Sequence, residues 1–353
     1  MQCLSGLISP FTEPLLLKTD VILLGHGSGG KLSHQLLDEV IIPTLSGVTG
    51  KDQNDAAILP PLNGRLAFTT DSYVVDPLFF PGGCIGDLAV NGTVNDLAMV
   101  GARPQWLSVG LIIEEGLLVD DLRRVLVAMR RAADQAGVQI VTGDTKVVPR
   151  GKGDKLFINT AGIGVIEDDC DIRGSNAQPG DIVLINGTIG DHGMAVLASR
   201  EGLELASEIR SDSAALNHIV AELISSIGNG LHVLRDPTRG GVATTLKEIA
   251  LQSQIDITLD EAAIPVDAAV AGACAILGLD PLFVANEGKL LAIVTPECAE
   301  SALAIIRRHP EGARAAAIGV VAATAPGKVF MRTVIGGRRS VEMLAGEQLP
   351  RIC

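Results

Sequence analysis

The sequence has few aromatic residues, no paired cysteine motif and little basic charge. Only 3% of its residues are aromatic, with one tryptophan and one tyrosine, so small aliphatic side chains must fill most of any core. The six cysteines contain no CxxC pair and the six histidines no HExxH motif, which excludes the common zinc sites and a disulfide framework. The net charge of −13 argues against a broad surface for nucleic acid or anionic membrane.

Long apolar runs and a basic leader are also absent. No stretch of 18 uninterrupted apolar residues occurs, so no membrane span is predicted. The first 17 residues contain neither lysine nor arginine, which predicts no secretory n-region. Scattered cysteines are typical of reduced thiols, and we predict a cytoplasmic protein.

The 353 residues are enough for about two domains, each with its own core. Strand-like and helix-like segments alternate along the chain, which predicts an α/β (α+β) fold. Strong turn chemistry at Gln178-Pro179-Gly180-Asp181 places a domain boundary near 168–180. We therefore predict an N-terminal domain at 1–170, a C-terminal domain at 171–345 and a flexible tail at 346–353.

Three local predictions concern the first hundred residues. We expect a strand at 21–24, followed by a helix at 32–42 that Pro43 stops. A further helix carries Asn91 and Asn95 one turn apart, which places both amides on one helix face.

A glycine-rich loop, Gly25-His26-Gly27-Ser28-Gly29-Gly30-Lys31-Leu32, follows the first predicted strand. It fits both GxGxxG and GxxxxGK. A Walker loop, however, needs a hydroxyl residue where Leu32 stands, and a dinucleotide fold needs an acid about 20 residues later that is missing. Glycines still let the backbone approach phosphates, and Lys31 can offset their charge. We predict phosphate binding; the alternative is a loop without a ligand.

Four aspartates in the first 150 residues occupy positions where a carboxylate is costly unless it is paired or bound to a cation. Asp71 ends an apolar strand, Asp144 follows Gly143 at another predicted strand end, and Asp96 lies in an otherwise apolar helix; Asp55 is the fourth. Magnesium with a nucleotide uses a few carboxylates, phosphate oxygens and waters. Together with the glycine loop, these residues favour a nucleotide–magnesium site, although each alone is also compatible with an ordinary turn or cap.

Two further charged residues are candidates for proton transfer. Lys146 lies just beyond the strand end at Asp144, where it either contacts phosphate, transfers a proton or is a solvated loop lysine. Glu287, in Ala285-Asn286-Glu287-Gly288-Lys289, is a candidate general base whose pKa burial would raise. An ordinary turn is the alternative for Glu287.

The last four residues are Pro350-Arg351-Ile352-Cys353. A cysteine on a mobile end is exposed, and its reactivity matters more than its packing. A CaaX prenylation signal requires the cysteine four residues from the end, so that interpretation fails. We predict that the tail carries its thiol into a pocket; the alternative is a frayed end with a chance cysteine.

Taken together, these motifs resemble the HypE family of hydrogenase maturation proteins, within the superfamily typified by aminoimidazole ribonucleotide synthetase. The match spans about residue 20 to 353, in order. Strand-end aspartates and glycine turns are shared across that superfamily and specify only ATP chemistry, whereas the terminal Pro-Arg-Ile-Cys separates HypE from the purine-synthesis and selenophosphate-synthesising relatives. Besides the loop and the tail, the matching segments are Thr69-Thr70-Asp71-Ser72, Phe79-Phe80-Pro81-Gly82-Gly83, Asn95-Asp96-Leu97-Ala98, Val141 to Val148, Gly190-Asp191-His192-Gly193, Thr238-Arg239-Gly240-Gly241 and Ala285 to Lys289.

The resemblance implies a two-domain fold, a homodimer with ATP near its interface, and ATP-dependent dehydration of an S-carboxamide on Cys353 to a thiocyanate. A HypF carbamoyltransferase would load the thiol, and the cyano group would pass to iron on a HypC–HypD complex for the nickel–iron hydrogenase centre. The implied roles are as follows: Cys353 carries the group, Glu287 accepts a proton, Asp144 and Lys146 serve phosphate or proton transfer, Asp55, Asp71 and Asp96 hold Mg2+ and ATP, and Gly27, Gly29, Gly30, Lys31 and Thr145 contact the nucleotide.

Two alternatives remain open at this level. A synthetase or kinase of the same superfamily would act on a soluble small molecule, and Cys353 would then be incidental. A non-enzymatic assembly factor would use the nucleotide as a switch and would dock its tail on a partner.

Overall fold

The computed structural model describes residues 19–46, 55–167, 169–203, 208–343, 346, 349 and 351–353. The strands are β1 Arg65–Tyr73, β2 Phe79–Phe80, β3 Gly83–Cys84, β4 Ala102–Glu114, β5 Gln139–Val148, β6 Leu156–Ile166, β7 Ile182–Ile185, β8 Leu231–Arg235, β9 Asp256–Asp260, β10 Leu291–Val294, β11 Ala316–Ala322, β12 Lys328–Arg332 and β13 Arg338–Ser340. The α-helices are α1 Lys31–Leu36, α2 Ile42–Ser46, α3 Ile85–Met99, α4 Val119–Ala136, α5 Asp191–Glu201, α6 Asn217–Ile227, α7 Gly241–Ser253, α8 Ala268–Leu277 and α9 Ala299–Ile306. A π-helical turn, Leu37–Ile41, joins α1 to α2, and a 3-10 turn, Leu24–Gly27, precedes α1.

The N-terminal sheet has the order β1-β6-β4-β5, with β4 and β5 parallel and the other pairs antiparallel. One face of this sheet is buried under α3 and α4, where Leu107, Val109 and Leu111 of β4 join the core. The opposite face is apolar yet exposed, since Phe68 of β1 keeps 70% of its surface accessible. Within the described residues of one chain, this face of the sheet is therefore uncovered.

The C-terminal sheet has the order β13-β12-β9-β11-β7-β10-β8 and is antiparallel except for the β12–β9 pair. Aliphatic side chains fill two clusters around it, one packed with α7 and one with α6 and α9. Each half of the chain thus has its own sheet and core, which confirms the predicted two-domain fold. Among the helices of the described residues, none combines the length and apolarity needed to cross a membrane.

Helix α3 connects the two halves. It is buried on nearly all sides, and its two asparagines, predicted to share one face, both point to the loop that precedes α6. The Asn91 amide donates to the Ser213 hydroxyl at 3.1 Å. The Asn95 amide donates to the carbonyls of Ala214 at 3.0 Å and Glu287 at 3.3 Å, while its oxygen accepts from the Leu216 N–H at 2.8 Å. Asn95 therefore fixes the C-terminal half beside α3.

Two of the local predictions are wrong. No strand forms at 21–24, where Val21 makes only an isolated bridge to Leu118. The helix does not stop at Pro43 but continues to Ser46. The π-turn explains the second result: the Ile42 N–H donates to the Leu37 carbonyl five residues earlier, and this wider turn accommodates a proline that lacks an N–H.

We expect Asn95→Ala to lower the free energy of unfolding by about 2–3 kcal/mol, because it leaves the buried Leu216 N–H and two carbonyls without partners. Urea denaturation followed by circular dichroism measures this value. Asn91→Ala, one turn away with a single bond to a hydroxyl, is the matched control and should lose about 1 kcal/mol. Equal losses for the two variants would contradict the role given to Asn95.

Candidate active site

The last residues of the chain are docked against the N-terminal half. The Val74 N–H donates to the main-chain oxygen of Cys353 at 3.2 Å, and the Asp76 N–H donates to the Arg351 carbonyl at 3.4 Å. The Arg351 guanidinium lies 2.8 Å from Asp154. Ile352 is 3% exposed and belongs to the N-terminal core. The described end of the tail is therefore seated by backbone, charge and apolar contacts together.

His192 of α5 holds this seat from the C-terminal half. Its Nε2 lies 2.9 Å from the Ile352 carbonyl and its Nδ1 lies 2.8 Å from the Ser211 hydroxyl. A carbonyl only accepts, so Nε2 carries the proton and Nδ1 accepts from Ser211. Complete burial lowers the pKa of His192 and favours this neutral form. The Phe80 ring meets the imidazole edge-on, with 5.5 Å between the centroids.

The Cys353 thiol lies among charged groups at the junction of the two halves. Arg239 Nε donates to Sγ at 3.3 Å. Burial, followed by the negative charge of Glu287, raises the pKa of the thiol to about 11, although Arg239 opposes the shift. In this seat the thiol is neutral at physiological pH and is a poor nucleophile.

Carboxylates are crowded around the same point. Asp96 on α3 accepts from the Thr69 hydroxyl of β1 at 2.9 Å, and its pKa is raised by burial and by the charge of Asp71. Asp236, after β8, has its pKa raised to about 7 by burial and then by the charge of Asp96. The repulsion between these acids is incompletely compensated, which is the electrostatic character of a site that takes a cation.

Glu287 is the most buried acid of this cluster, at 4% exposure. Burial raises its pKa well above the usual range, and the charges of Asp212, Asp236 and Asp71 raise it further. Asp212 behaves differently: burial favours its neutral form, but Lys289 at 2.9 Å and the hydrogen bond from the Glu287 N–H hold its pKa low. At this junction the surroundings thus favour the protonated form of Glu287 and the ionised form of Asp212.

Hydrogen bonds from the Asn286 side chain to backbone groups hold together the loops that carry these residues. Asn286 accepts from the Gly190 N–H at 2.8 Å and donates to the Pro237 carbonyl at 2.9 Å, which ties three glycine-rich turns together. A Cβ on Gly288 would lie 1.7 Å from the Asp212 carbonyl oxygen. Glycine is therefore required at 288 for Glu287 and Asp212 to approach each other.

The glycine-rich loop lies elsewhere, at the β5 edge of the N-terminal sheet. Gly27 and Gly29 line a cavity of about 870 Å³ together with the segment of β5 that contains Asp144, Thr145 and Lys146. Apolar side chains of α1, α2 and β4 complete its walls, and Trp106, the only tryptophan of the chain, is among them. His26 closes the turn, since its Nδ1 accepts from the Leu23 N–H at 2.9 Å.

The predicted site residues thus fall into two groups within one chain. Cys353, Glu287, Asp71 and Asp96 lie at the junction of the two halves. The second group lies at or beside the cavity: Gly27, Gly29, Gly30, Lys31, Asp55, Asp144, Thr145 and Lys146. Lys31 is exposed at the start of α1, and Asp55 directly precedes cavity-lining Ala56. β1 and β5 form opposite edges of the sheet, so one chain does not bring the two groups together.

Two details of the cavity group differ from the sequence predictions. Asp144 is not at a strand end but in the middle of β5, because the strand continues through the glycine to Val148. Lys146 lies 2.5 Å from Asp144 and holds the pKa of that carboxyl low. Lys146 thus lies within β5 and not beyond a strand end, and its role in phosphate contact or proton transfer stays a prediction.

The predicted magnesium ligands are divided in the same way. Asp71 and Asp96 interact with each other, whereas Asp55 stands beside the cavity. Over the described part of the chain, no three His, Cys, Asp or Glu side chains are arranged to hold a metal ion. The donor chemistry nevertheless fits Mg2+, because Asp71 and Asp96 are carboxylates whose mutual repulsion a divalent cation would relieve.

Sequence reasoning assigned no role to several residues that the structure brings to the thiol. His192 and Arg239 lie within glycine turns that the sequence analysis had singled out, so position in those motifs was the available signal. Asp236 lies two residues before the second of these turns. Asp212 lies in a loop without a recognisable motif, and only the fold reveals it.

Comparisons with known proteins give a consistent result. Family models described as "AIR synthase related protein", N-terminal and C-terminal domain, match residues 53–166 and 178–332. The chain is 51% identical over 344 residues to "Carbamoyl dehydratase HypE" of Cupriavidus necator, covering 97% of this chain and 98% of that protein. It superposes with a TM-score of 0.88 on a crystal structure of HypE in complex with ATP, which is 54% identical and covers 94% of this chain and 99% of that one. A HypE–HypF complex gives a TM-score of 0.77 at 48% identity, covering 80% and 92%.

We expect His192→Ala to release the tail and to accelerate alkylation of Cys353 by iodoacetamide at pH 8 about 10-fold, since one buried hydrogen bond is lost. Peptide mass spectrometry over time measures the rate, with buried Cys84 in the same digest as an internal reference. His218→Ala removes an exposed histidine on α6 and is the matched control. If the alkylation rate of Cys353 were unchanged in a folded His192→Ala chain, the role of His192 in holding the tail would be contradicted.

Proposed function

Since the chain belongs to the HypE family of carbamoyl dehydratases, we propose that it dehydrates an S-carboxamide on its own Cys353 to a thiocyanate, using ATP. The family and the enzyme class predicted from the motifs are thereby confirmed. One observation carries the assignment to this residue: the Cys353 thiol is docked with its Sγ 3.3 Å from Arg239 Nε, and the charge of the buried Glu287 acts on its pKa. A chance cysteine on a frayed end would have no such seat.

The reaction balances without a redox partner. The carboxamide oxygen attacks the γ-phosphorus, the bond to ADP breaks, and one N–H proton leaves. The C–O bond then breaks with its electron pair going to phosphate, the second N–H proton leaves, and the C≡N bond is complete. The net products are the thiocyanate, ADP, phosphate and one proton. Glu287 is the proton acceptor, because an acid with a raised pKa is a strong base once it is ionised.

The seat also separates loading from dehydration. A docked thiol with a pKa of about 11 is almost wholly neutral, so attack on a carbamoyl donor requires the tail to leave the seat. A HypF carbamoyltransferase loads the released tail, and a HypC–HypD complex accepts the cyano group from it. A structure of a HypE–HypF complex supports the first of these partners. We place these steps in the cytoplasm.

The nucleotide is held by the second group of residues. We propose that the glycine loop with Lys31, and Asp144 and Thr145 of β5, bind the phosphates of ATP, with Lys146 assisting phosphate or proton transfer. Asp71 and Asp96, with Asp55, would hold Mg2+, which neutralises phosphate charge when it is bound. Loss of repulsion among the carboxylates would then lower the pKa of Glu287 toward the range of a useful base.

A homodimer would unite the two groups. The thiol site lies beside β1 and the cavity lies beside β5, and these two strands form opposite edges of one sheet. Leu66 and Phe68 on β1 and Ile112 on β4 leave 63%, 70% and 44% of their surfaces exposed on its uncovered face. A second copy packed on that face would bury this apolar surface and bring one chain's β5 edge toward the other's β1 edge.

The first test is mass spectrometry of the tail peptide after incubation with carbamoyl phosphate, HypF and magnesium–ATP. We expect a carbamoyl adduct on Cys353 that loses the mass of one water only when ATP is present. Cys353→Ala should keep its melting temperature and nucleotide affinity but form neither product. ATP turnover on a soluble substrate in that variant would favour the synthetase alternative; nucleotide binding without hydrolysis would favour the assembly switch.

For the dimer, we expect Phe68→Glu to give a monomer by light scattering and to weaken ATP binding at least 10-fold, because a charge on the apolar face opposes association. Val334→Glu, also 70% exposed but at the β12–β13 turn, is the control and should leave both properties unchanged. A dimeric Phe68→Glu chain would exclude this face as the interface.

A further inference from the structure

Arg239 is a charged side chain beside the thiol to which neither the motifs nor the proposed reaction has given a role. We propose that Arg239 is a catalytic residue that binds the carboxamide oxygen on Cys353 and stabilises the negative charge that this oxygen acquires as it becomes a phosphate ester and leaves. The proposal rests on the dehydration proposed above and names the group that serves its reacting oxygen.

One contact shows that Arg239 is within reach of the carboxamide oxygen. Arg239 Nε donates to Cys353 Sγ at 3.3 Å. In an S-carboxamide the oxygen is two bonds from sulfur, so it lies about 2.6 Å from Sγ at standard bond lengths of roughly 1.8 and 1.2 Å. A guanidinium that already contacts the sulfur therefore reaches the oxygen by a rotation about the Cβ–S or S–C bond. Its planar fork offers further N–H donors to a carbonyl or phosphate oxygen.

The surrounding charge makes a cation necessary at this point. Asp71 and Glu287 both act on Cys353 electrostatically and disfavour negative charge there. Asp96 and Asp236 interact with Glu287 in the same cluster. A phosphorylated carboxamide would add a dianion to these acids. Arg239 opposes them already in the resting thiol, since its charge and hydrogen bond act to lower the pKa of Cys353.

The backbone around Arg239 is fixed by its glycines. Gly240 and Gly241 both have positive φ, of 73° and 61°, in the turn that starts α7. A Cβ on Gly241 would lie 2.5 Å from the Leu282 carbonyl oxygen, so no other residue fits there without a shift. The Asn286 amide donates to the Pro237 carbonyl two residues before Arg239 at 2.9 Å. This bond connects the turn that carries Arg239 to the segment that carries Glu287, whose charge also acts on the thiol.

Arg239 neither gains nor loses a proton in this step. When the C–O bond breaks, the electron pair goes to the departing phosphate oxygen and both amide protons go to acceptors such as Glu287. Arg239 remains cationic throughout, because the pKa of a guanidinium is too high for it to act as an acid. Its contribution is therefore charge stabilisation, for which removal of one preorganised donor typically slows the reaction about 100-fold to 1,000-fold.

The test uses the full chain, loaded on Cys353 by HypF and carbamoyl phosphate and then desalted. Magnesium–ATP is added, and the loss of water from the tail peptide is followed by mass spectrometry. We expect Arg239→Gln to dehydrate at least 100-fold more slowly while it keeps its loading rate, ATP affinity and melting temperature. Arg239→Lys should be intermediate, since it keeps the charge but loses the fork. Arg314→Gln, which removes an exposed arginine paired with Asp267, is the matched control.

A second measurement separates catalysis from seating. If Arg239 only held the tail, Arg239→Gln would accelerate alkylation of Cys353 by iodoacetamide by the same factor by which it slows dehydration. We expect less than a threefold change in alkylation, because His192 and the Val74 and Asp76 N–H groups still hold the backbone. Equal factors, or wild-type dehydration by Arg239→Gln, would overturn the proposal. Absence of water loss in the wild-type chain would instead reject the proposed function itself.

Discussion

The active site depends on a hydrogen-bonded contact between the two halves of the chain at Asn95. This side chain satisfies a backbone N–H and two carbonyls of the C-terminal half, one of which belongs to Glu287. The next residue along α3 is Asp96, which belongs to the acid cluster. The contact that joins the halves is therefore also the contact that brings the acids together. A site built in this way cannot be assembled by either half alone.

Crowded carboxylates give this junction its chemistry. Burial and the neighbouring negative charges raise the pKa of both Glu287 and the Cys353 thiol in the resting chain. The same repulsion favours binding of a cation and of the Arg239 guanidinium, either of which lets the acids ionise. In the reaction proposed above, charge would therefore couple the occupancy of the site to the reactivity of the docked tail.

Several modest contacts together hold the tail in its seat. Three kinds of contact hold it: backbone hydrogen bonds from Val74 and Asp76, an ion pair from Arg351 and burial of Ile352. Each is modest in energy, and the His192 donor adds one buried bond. A seat made of several modest contacts can be both specific and reversible, as a segment that visits a partner and returns requires. The rest of the chain therefore contacts the backbone of the tail as well as its side chains.

The sequence by itself determined the family and the two-domain fold, and it predicted candidate residues for the chemistry, because glycine turns, isolated acids and the terminal cysteine are local patterns. It could not determine which of them meet. Asp55, Asp71 and Asp96 read as one set, yet Asp55 precedes cavity-lining Ala56, whereas Asp71 lies on β1 and Asp96 accepts from Thr69 of that strand at the opposite edge of the sheet. Nor could the sequence show that the backbone of Asp212 packs against Gly288, or that Arg239 contacts Cys353, 114 residues away. Those contacts are decided by long-range packing, since residues far apart in the chain become neighbours only when sheets and helices have found their partners.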